Sequence, residues 1–574
     1  MRLPLIFACG SLVLAAAAPL AHAQSYTSSA IYNFCSLPNC ADGYLPIVGL
    51  IQGADGNFYG AAEKGGSSDI GTVFKVSSAG KLTTLLEEEA GGPLIQGGDG
   101  YYYYTFGSDV LKMSSSGRAT IFSNEPYTGP LIEGSDGNFY TDSYYGSLST
   151  SECPSSTCGT VVKITPAGDI SVVYKFCSVA NCADGLGPSA PLVEGSDGNL
   201  YGTTYEGGAN GYGTIYKLTK SGVLTTLYSF GSQANDASSL VEGPDGNFYG
   251  LNYSGGSALY SSAFKISPDG TYTTLVQFCA QETQNQCLGW DVVYNGGRSL
   301  YLGSDGNFYG VGLSDSPVVY GLSPTGLWPV SQVLTDPGVP IQGNDGNFYG
   351  LDAYTGISES ECDNSDGEDL GCGTVYKITV SPALPAPVQI SLSSSTVQPG
   401  KPVTASLKVL NAFSLTMQQC FAFQNGTPLG KVPGTYNSST KLYTFSGNLI
   451  PATAGIYNYA VTCGGVESGF ATLTVGDTTK TTLAAAPNPV TPPANVTLTA
   501  TVTRTTGSGV PTGSVTFSSG TIVLGKASLN GSGVATLAAS SKGVAAGSYP
   551  VTAEYSGDAQ DVASSSSAIV VTVE

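Results

Sequence analysis

One eight-residue pattern constrains the fold more than any other feature of the chain. GSDGNLYG at 195–202 has close copies at 53–60 (GADGNFYG), 97–104 (GGDGYYYY), 134–141 (GSDGNFYT), 243–250 (GPDGNFYG), 303–310 (GSDGNFYG) and 343–350 (GNDGNFYG). The seven copies carry Asp55, Asp99, Asp136, Asp197, Asp245, Asp305 and Asp345. A spacing of about 40 to 60 residues, repeated this often, marks a solenoid, a propeller or an array. Such a unit cannot bury its apolar face alone, so the way copies stack decides the architecture.

The copy at 191–230 contains four short β-like runs. The first is Pro191 to Glu194, followed by Asp197-Gly198, a hairpin signal because Gly tolerates positive φ and Asp braces its own turn. Leu200 to Tyr205 is the second run, GTIYKL (213–218) the third, and VLTTLYSF (223–230) the fourth after a Ser221-Gly222 turn. Four antiparallel strands per repeat make one propeller blade. The third run recurs in every copy, but the last copy runs from GTVYKI (373–378) straight into SPALPAP (381–387) without a fourth. Copy six has a weaker fourth run at 327–334, where Pro329 suits an outermost edge strand. The strand missing from copy seven lies at the other end of the chain. TSSAIYNF (27–34) reads as a fourth strand with no repeat before it, and its continuation FCSLPNCADG (34–43) nearly duplicates FCSVANCADG (176–185). The expectation is an all-β chain opening with a seven-bladed β-propeller over 24–380, closed by the N-terminal strand, which would leave no open sheet edge.

This topology sorts the loops. The DGN turns and the Ser-x-Gly turns share one face; the second-to-third loops and the connections between blades share the other. The variable face then carries Tyr144, Tyr145, Tyr205, Glu206, Tyr212, Tyr253, Trp290, Asp291, Asp352 and Tyr354, the candidate ligand-binding residues. Aromatic faces beside carboxylates suit sugar rings, through stacking and hydrogen bonds to hydroxyls. The repeated aspartates read as turn formers, and the repeated Tyr as packing between blades. The third-strand lysines (Lys75, Lys112, Lys163, Lys217, Lys265, Lys377) read as snorkelling between blades. In ESECDNSDGED (359–369), Asp363, Asp366 and Asp369 are candidate Ca²⁺ ligands, although their spacing is not that of an EF-hand.

Residues 1–23 read as a secretory signal peptide, with Arg2 before an apolar stretch and Ala21-His22-Ala23 as the cleavage site. The mature chain then keeps 20 Lys+Arg against 42 Asp+Glu and no histidine. Its acidity disfavours nucleic acid as a partner. The lack of histidine excludes a Ser-His-Asp triad, a Cys-His dyad and any His-ligated metal. No later apolar run reaches the length of a transmembrane helix, so an exported protein is expected, extracellular, at the cell surface or periplasmic. Twelve cysteines remain, and nearest-neighbour pairing uses all of them: Cys35/Cys40, Cys153/Cys158, Cys177/Cys182, Cys279/Cys287, Cys362/Cys372 and Cys420/Cys463. In an exported chain these read as disulfides, each short ring contributing roughly 2 kcal/mol.

After the linker at 381–387, residues 388–475 and 479–574 show short alternating strands, two domains in the style of Ig-like β-sandwiches. Cys420 sits late for the usual inter-sheet bridge of such a domain, and no apolar anchor or sorting segment follows the last strand.

The DGNFYG, GTVYKI and LTTLYSF blocks, recurring in fixed order over roughly 27–380, resemble the GloVer tandem-repeat proteins, a bacterial surface family described as choice-of-anchor. The DGNLY turn is similar to that of NHL-type and lactonase-like propellers, and 479–574 resembles a bacterial Ig-like repeat domain. The resemblance implies a surface location but no activity or catalytic residues. The family name implies a C-terminal anchor, which this sequence does not show.

These readings point to a non-catalytic recognition or adhesion protein that binds an extracellular glycan or protein through the variable-loop face, with the Ig-like domains as spacer. Two alternatives stand beside it. One is a carbohydrate-active hydrolase or lyase using paired carboxylates such as Glu206 and Asp352, which needs no histidine. The other is a purely structural envelope protein.

Overall fold

The computed structural model describes residues 24–88, 92–106, 109–124, 129–144, 158–188, 190–231, 235–237, 240–253, 262–277, 300–312, 318–323, 326–331, 338–356, 362, 371–412, 419–425, 427–463 and 466–574. Within them the chain is all-β. Its short 3₁₀ turns include Pro38–Cys40 and Ala180–Cys182, and among the described residues no helix is long and apolar enough to cross a membrane.

Each copy of the repeat forms one antiparallel sheet, numbered here 1 to 7 in chain order. Sheet 1 runs Val48–Gln52, Phe58–Ala62, Thr72–Val76, Leu82–Leu86. Sheet 7 runs Ile341–Gln342, Phe348–Asp352, Thr374–Ser381, and its fourth strand is the N-terminal Ser25–Asn33, as the sequence predicts. The pairing extends from Ser25↔Ser381 to Asn33↔Thr374. Sheet 6 has its fourth strand at Gly326–Ser331, with Pro329 on the outer edge, where its missing N–H leaves no ladder bond unmade. The third and fourth strands break register at the same place in sheets 1 to 6, for instance Val73/Phe74 and Ile215/Tyr216, so one bulge is built into every unit.

The DGN motif explains why each sheet forms. In sheet 4, Gly198 at φ 79° donates its N–H to the Gly195 carbonyl, and Asp197 Oδ1 accepts the Asn199 N–H at 3.1 Å. Asp197 Oδ2 accepts the buried Tyr201 phenol at 2.8 Å. The same Tyr-to-Asp bond recurs in all seven sheets. The third-strand lysines add a correction. Lys75, Lys112, Lys217, Lys265 and Lys377 meet the turn aspartate of their own sheet, and Lys75 also reaches the next sheet, donating to the Ser115 carbonyl at 3.3 Å. In sheet 3, Asp136 is met instead by Lys220 from sheet 4, at 3.4 Å.

Neighbouring sheets are joined by two recurring devices. The second-strand Tyr of one sheet stacks on the aromatic residue one position earlier in the next: Tyr59 on Tyr102, Tyr103 on Phe139, Tyr201 on Phe248, Tyr249 on Phe308, Tyr309 on Phe348. Between sheets 3 and 4, Tyr140 packs with Leu200 in one apolar cluster. Sheet 7 meets sheet 1 in the same way, Tyr349 lying 4.1 Å from Phe58 between ring centroids.

The second device is a latch. A Gln or Glu ending the first strand of one sheet accepts the N–H of the residue before Asp-Gly in the preceding turn. Gln96 accepts from Ala54, Glu133 from Gly98, Glu194 from Ser135, Glu242 from Ser196, Gln342 from Ser304, and Gln52 from Asn344. The series therefore returns from sheet 7 to sheet 1. Its exception is self-consistent: the turn of sheet 5 has Pro244, which carries no N–H, and the acceptor position in sheet 6 is Leu302. Leu302→Glu alone is expected to cost about 2 kcal/mol, because it half-buries a carboxylate without a donor. Adding Pro244→Ser supplies the donors Glu242 finds in Ser196 and recovers most of that loss. A double-mutant cycle by urea denaturation checks it, and strict additivity would refute the latch.

Residues 388–475 form two sheets, Val388–Leu392, Val403–Val409, Leu442–Leu449, Thr435–Asn437 and a second containing Cys420–Gln424, Gly455–Cys463, Ala471–Val475. Cys420 and Cys463 are bonded but stand opposite each other on adjacent strands of one sheet, so the bridge is not the inter-sheet kind. Residues 479–574 form a second sandwich around Leu498, Val515, Phe517 and Tyr555.

Candidate functional site

The two ends of the seven-sheet unit differ in what they present. At the DGN-turn end, the first sandwich is docked. Phe421 lies on Gly98 so closely that a Cβ there would collide with its ring, and Phe423 and Pro428 approach to 3.1 and 3.0 Å of where a Cβ of Gly100 would stand. Asn411 Nδ2 donates to the Gly303 and Ser304 carbonyls at 3.1 and 3.2 Å. Phe470 stands over the turn at Gly56, and Gln342 Nε2 donates to the Pro385 carbonyl at 3.3 Å. These contacts reach sheets 1, 2, 6 and 7. Burial pushes the Glu133 carboxyl up to about 7, against the Gly98 N–H, with Asp99 raising it further and Lys431 of the sandwich lowering it. Glu242 is pushed up to about 7, again by burial first. Sequence reasoning missed this docking. Its one local signal is copy two, GGDG, where Gly98 replaces the Ala, Ser, Pro or Asn of the other copies.

The opposite end carries the second-to-third loops and the connections. Two of its loops are built identically. In 34–43, Asp42 is buried and accepts the Tyr32 phenol, the Ser36 N–H and hydroxyl, and the Leu37 N–H. In 176–185, Asp184 accepts the Tyr174 phenol, the Ser178 N–H and hydroxyl, and the Val179 N–H. Cys35–Cys40 and Cys177–Cys182 close the two loops. Cys362–Cys372 is bonded as well, and the Cys35, Cys362 and Cys372 sulfurs lie within 4.8 Å of one another, so two disulfides brace one corner. Because these sulfurs are in disulfides, they offer no thiolate to a metal. Cys158 is disulfide-bonded. Cys153, Cys279 and Cys287 fall outside the described residues.

With its backbone fixed, each loop exposes an apolar tip at the matching position: Leu37 is 50% and Val179 50% exposed. Ile47 and Ile70 are exposed near the first, and Tyr205 near the second. These aliphatic residues were not among the sequence candidates. The duplicated FCSxxNCADG block held the signal, since a disulfide loop with an apolar centre has no core within it to bury that residue.

Of the sequence candidates, Tyr205 and Glu206 are exposed together at the end of Leu200–Glu206. Tyr212 is half-buried against the core between sheets 4 and 5. Tyr144 is half-buried beside Gly187, and Tyr354 is half-buried, with its N–H donated to Asp352. Asp352 is fully buried, its Oδ1 accepting the Tyr354 and Thr355 amides at 3.2 and 3.1 Å, so it braces a turn. Glu206 and Asp352 thus occupy different sheets and opposite environments. Tyr253 lies on the strand Phe248–Tyr253. Tyr145, Trp290, Asp291, Asp363, Asp366 and Asp369 lie outside the described residues.

Residues 96–321 match the Gloeobacter/Verrucomicrobia repeat, and residues 481–574 match the bacterial Ig-like domain (group 3). No curated protein matches the chain. Among solved structures, one similar to it is a protein of unknown function from Bacteroides thetaiotaomicron, at 14% identity and a TM-score of 0.34, covering 62% of this chain and 76% of that one. Another is the Yersinia pseudotuberculosis adhesin InvE, at 15% identity and TM-score 0.16, covering 33% of this chain and 58% of that one. A third is the Escherichia coli adhesin FdeC, at 16% identity and TM-score 0.15, covering 59% and 99%. At these TM-scores the likenesses carry no argument about function.

Proposed function

We propose that this chain, which carries the Gloeobacter/Verrucomicrobia repeat and a bacterial Ig-like domain, is an exported recognition or adhesion protein. In this reading its seven sheets form a β-propeller closed by the N-terminal strand. A glycan or protein binds at the disulfide-braced loop end. The return of the stacking and latch series from sheet 7 to sheet 1 supports the propeller reading.

The observation that carries the binding reading is the pair of rigid loops with exposed apolar tips, Leu37 and Val179. Exposing an aliphatic side chain on a pre-ordered loop is unfavourable in water and favourable against a partner, and pre-ordering lowers the entropy lost on binding. The turn end is already occupied by the chain's own sandwich. The hydrolase reading draws no support from Glu206 and Asp352, which lie on different sheets, the first exposed and the second fully buried.

The test is a glycan array and an envelope-protein pull-down with the parent chain and with Leu37→Asp, Val179→Asp, Tyr205→Ala and Trp290→Ala. Binding that falls at least about tenfold in these variants, at unchanged melting temperature, is the expected result. A ligand held equally by all of them would move the site elsewhere. No ligand at all would favour the structural envelope role.

A further inference from the structure

The second sandwich carries an exposed apolar tip. Its strand Ile522–Ser528 follows Ser514–Ser519 through a tight turn at Gly520-Thr521, the pairing running from Ser519↔Ile522 to Ser514↔Ser528. It is the outermost strand of its sheet. Ile522 is 67%, Val523 65% and Leu524 38% exposed. Successive side chains of a strand point to opposite faces, so a strand lying on a core buries every second one. Here both faces are exposed at once. A Cβ on Gly520 would meet nothing within 4 Å, whereas one on Gly525 would press on Leu537 at 2.8 Å. The end of the hairpin therefore stands clear of the sandwich and rejoins it at Gly525.

The charges narrow what can cover it. Residues 479–574 hold four Lys+Arg and four Asp+Glu, whereas 24–478 hold 16 and 38. Ser514–Ser519 and the neighbouring strand Val534–Ser540 carry no charge. The first charged residue after the tip is the exposed Lys526, and Glu554 stands across from Thr516, back from the turn. An acidic body is repelled by an anionic surface; a neutral sandwich with a basic residue behind an apolar tip is not. A flat protein partner would cover one face of the hairpin and leave the other in water. A bilayer surrounds an inserted hairpin on all sides.

We propose that this hairpin tip inserts into the surface of a lipid bilayer carrying anionic headgroups, with Ile522, Val523 and Leu524 among the upper acyl chains and Lys526 at the headgroup level. Three aliphatic side chains and one cation make a weak, reversible attachment, of the order that a single myristoyl chain provides. The contact is separate from the loop end and does not rest on the recognition reading.

Co-sedimentation of the full chain with vesicles tests it, using phosphatidylcholine alone and phosphatidylcholine with about 30% phosphatidylglycerol. Half-binding is expected at about 0.1–1 mM lipid on the mixed vesicles. The double variant Ile522→Asp/Val523→Asp should weaken this at least about tenfold at unchanged melting temperature, since both side chains already stand in water. Lys526→Ala should weaken binding about fivefold on the mixed vesicles and leave the phosphatidylcholine vesicles unchanged. Val523→Trp reads the insertion directly: its fluorescence should be quenched by lipids brominated on the acyl chains, with the parent chain and its two native Trp as baseline. No sedimentation at about 5 mM mixed lipid overturns the proposal, as does binding that the double variant retains. A parent chain that dimerises while the double variant stays monomeric would assign the tip to a second copy and overturn it too.

Discussion

Deletion of residues 25–33 is expected to abolish cooperative folding of the seven-sheet unit. The strand supplies the pairing from Ser25↔Ser381 to Asn33↔Thr374, and without it Thr374–Ser381 becomes an open edge. The loss is not confined to hydrogen bonds. Phe34, next in the chain, is fully buried and packs edge-on against Phe74 of sheet 1, so the strand also pins sheet 7 to sheet 1. An unpaired, largely buried strand is an aggregation template. The deleted chain should elute as aggregate or show a broad, non-cooperative melt. A synthetic peptide of residues 24–34 added during refolding should recover part of the native signal, because the edge it replaces is intact. A monomeric deletion variant melting within about 2 °C of the parent, which is the effect of ~1 kcal/mol on a unit this large, would show that the strand does not close the unit.

Asp197→Ala should destabilise the chain by about 3 kcal/mol. The substitution leaves the buried Tyr201 phenol without its acceptor, at about 1–3 kcal/mol, and removes the brace of the turn. Burial opposes ionisation of this carboxyl, but Lys217, Asn199 and Tyr201 together hold it below the usual carboxylate range. Lys217 Nζ stands 2.5 Å away, but the pair is about a third exposed and contributes little by itself. Asp197→Asn separates the contributions in part: its single amide oxygen can accept from the Tyr201 phenol or from the Asn199 N–H but not from both, and the charge is lost, so a smaller cost of about 1–2 kcal/mol is expected. Urea midpoints at unchanged m-value give both numbers. If the Ala and Asn variants were equally stable, the phenol bond would not be what holds the turn.

Most residues that act within one repeat were legible, and most of those that act between segments were not. DGN with a Tyr two residues later predicted a turn and a buried ring because both signals lie within eight residues. The fourth strand of sheet 7 was legible through strand counting, and Pro329 at an edge through its missing N–H. Cys35, Cys177, Cys362 and Cys420 bond their predicted neighbours. The lysines were read only in part, because a side chain of that length reaches its own turn, the next sheet or, as Lys75 does, both, and sequence periodicity is the same in each case. The latches escaped notice because their donor is a backbone N–H, which every residue but proline supplies. Only Pro244 facing Leu302 leaves a trace of them in the sequence. Of the candidate site residues, Tyr205 and Glu206 are exposed, whereas Asp352 is buried and braces a turn. The docked sandwich depends on Phe421 meeting Gly98 more than 300 positions away, a coincidence that no local pattern encodes.

That docking has a mechanical consequence. The two sandwiches are themselves joined through Asp477: its carboxylate accepts from Gln398 Nε2 of the first at 3.2 Å and stands 3.5 Å from Arg504 Nη1 of the second, and its N–H donates to the Gln560 carbonyl at 2.7 Å. Tension applied at the C-terminal sandwich therefore does not peel the seven-sheet unit apart from the single strand that leads out of it. It is shared across the seats of Asn411, Phe421 and Phe470 on three different sheets, and these must slide together before any one of them releases. A tether loaded in this parallel fashion resists pulling better than one that opens contact by contact.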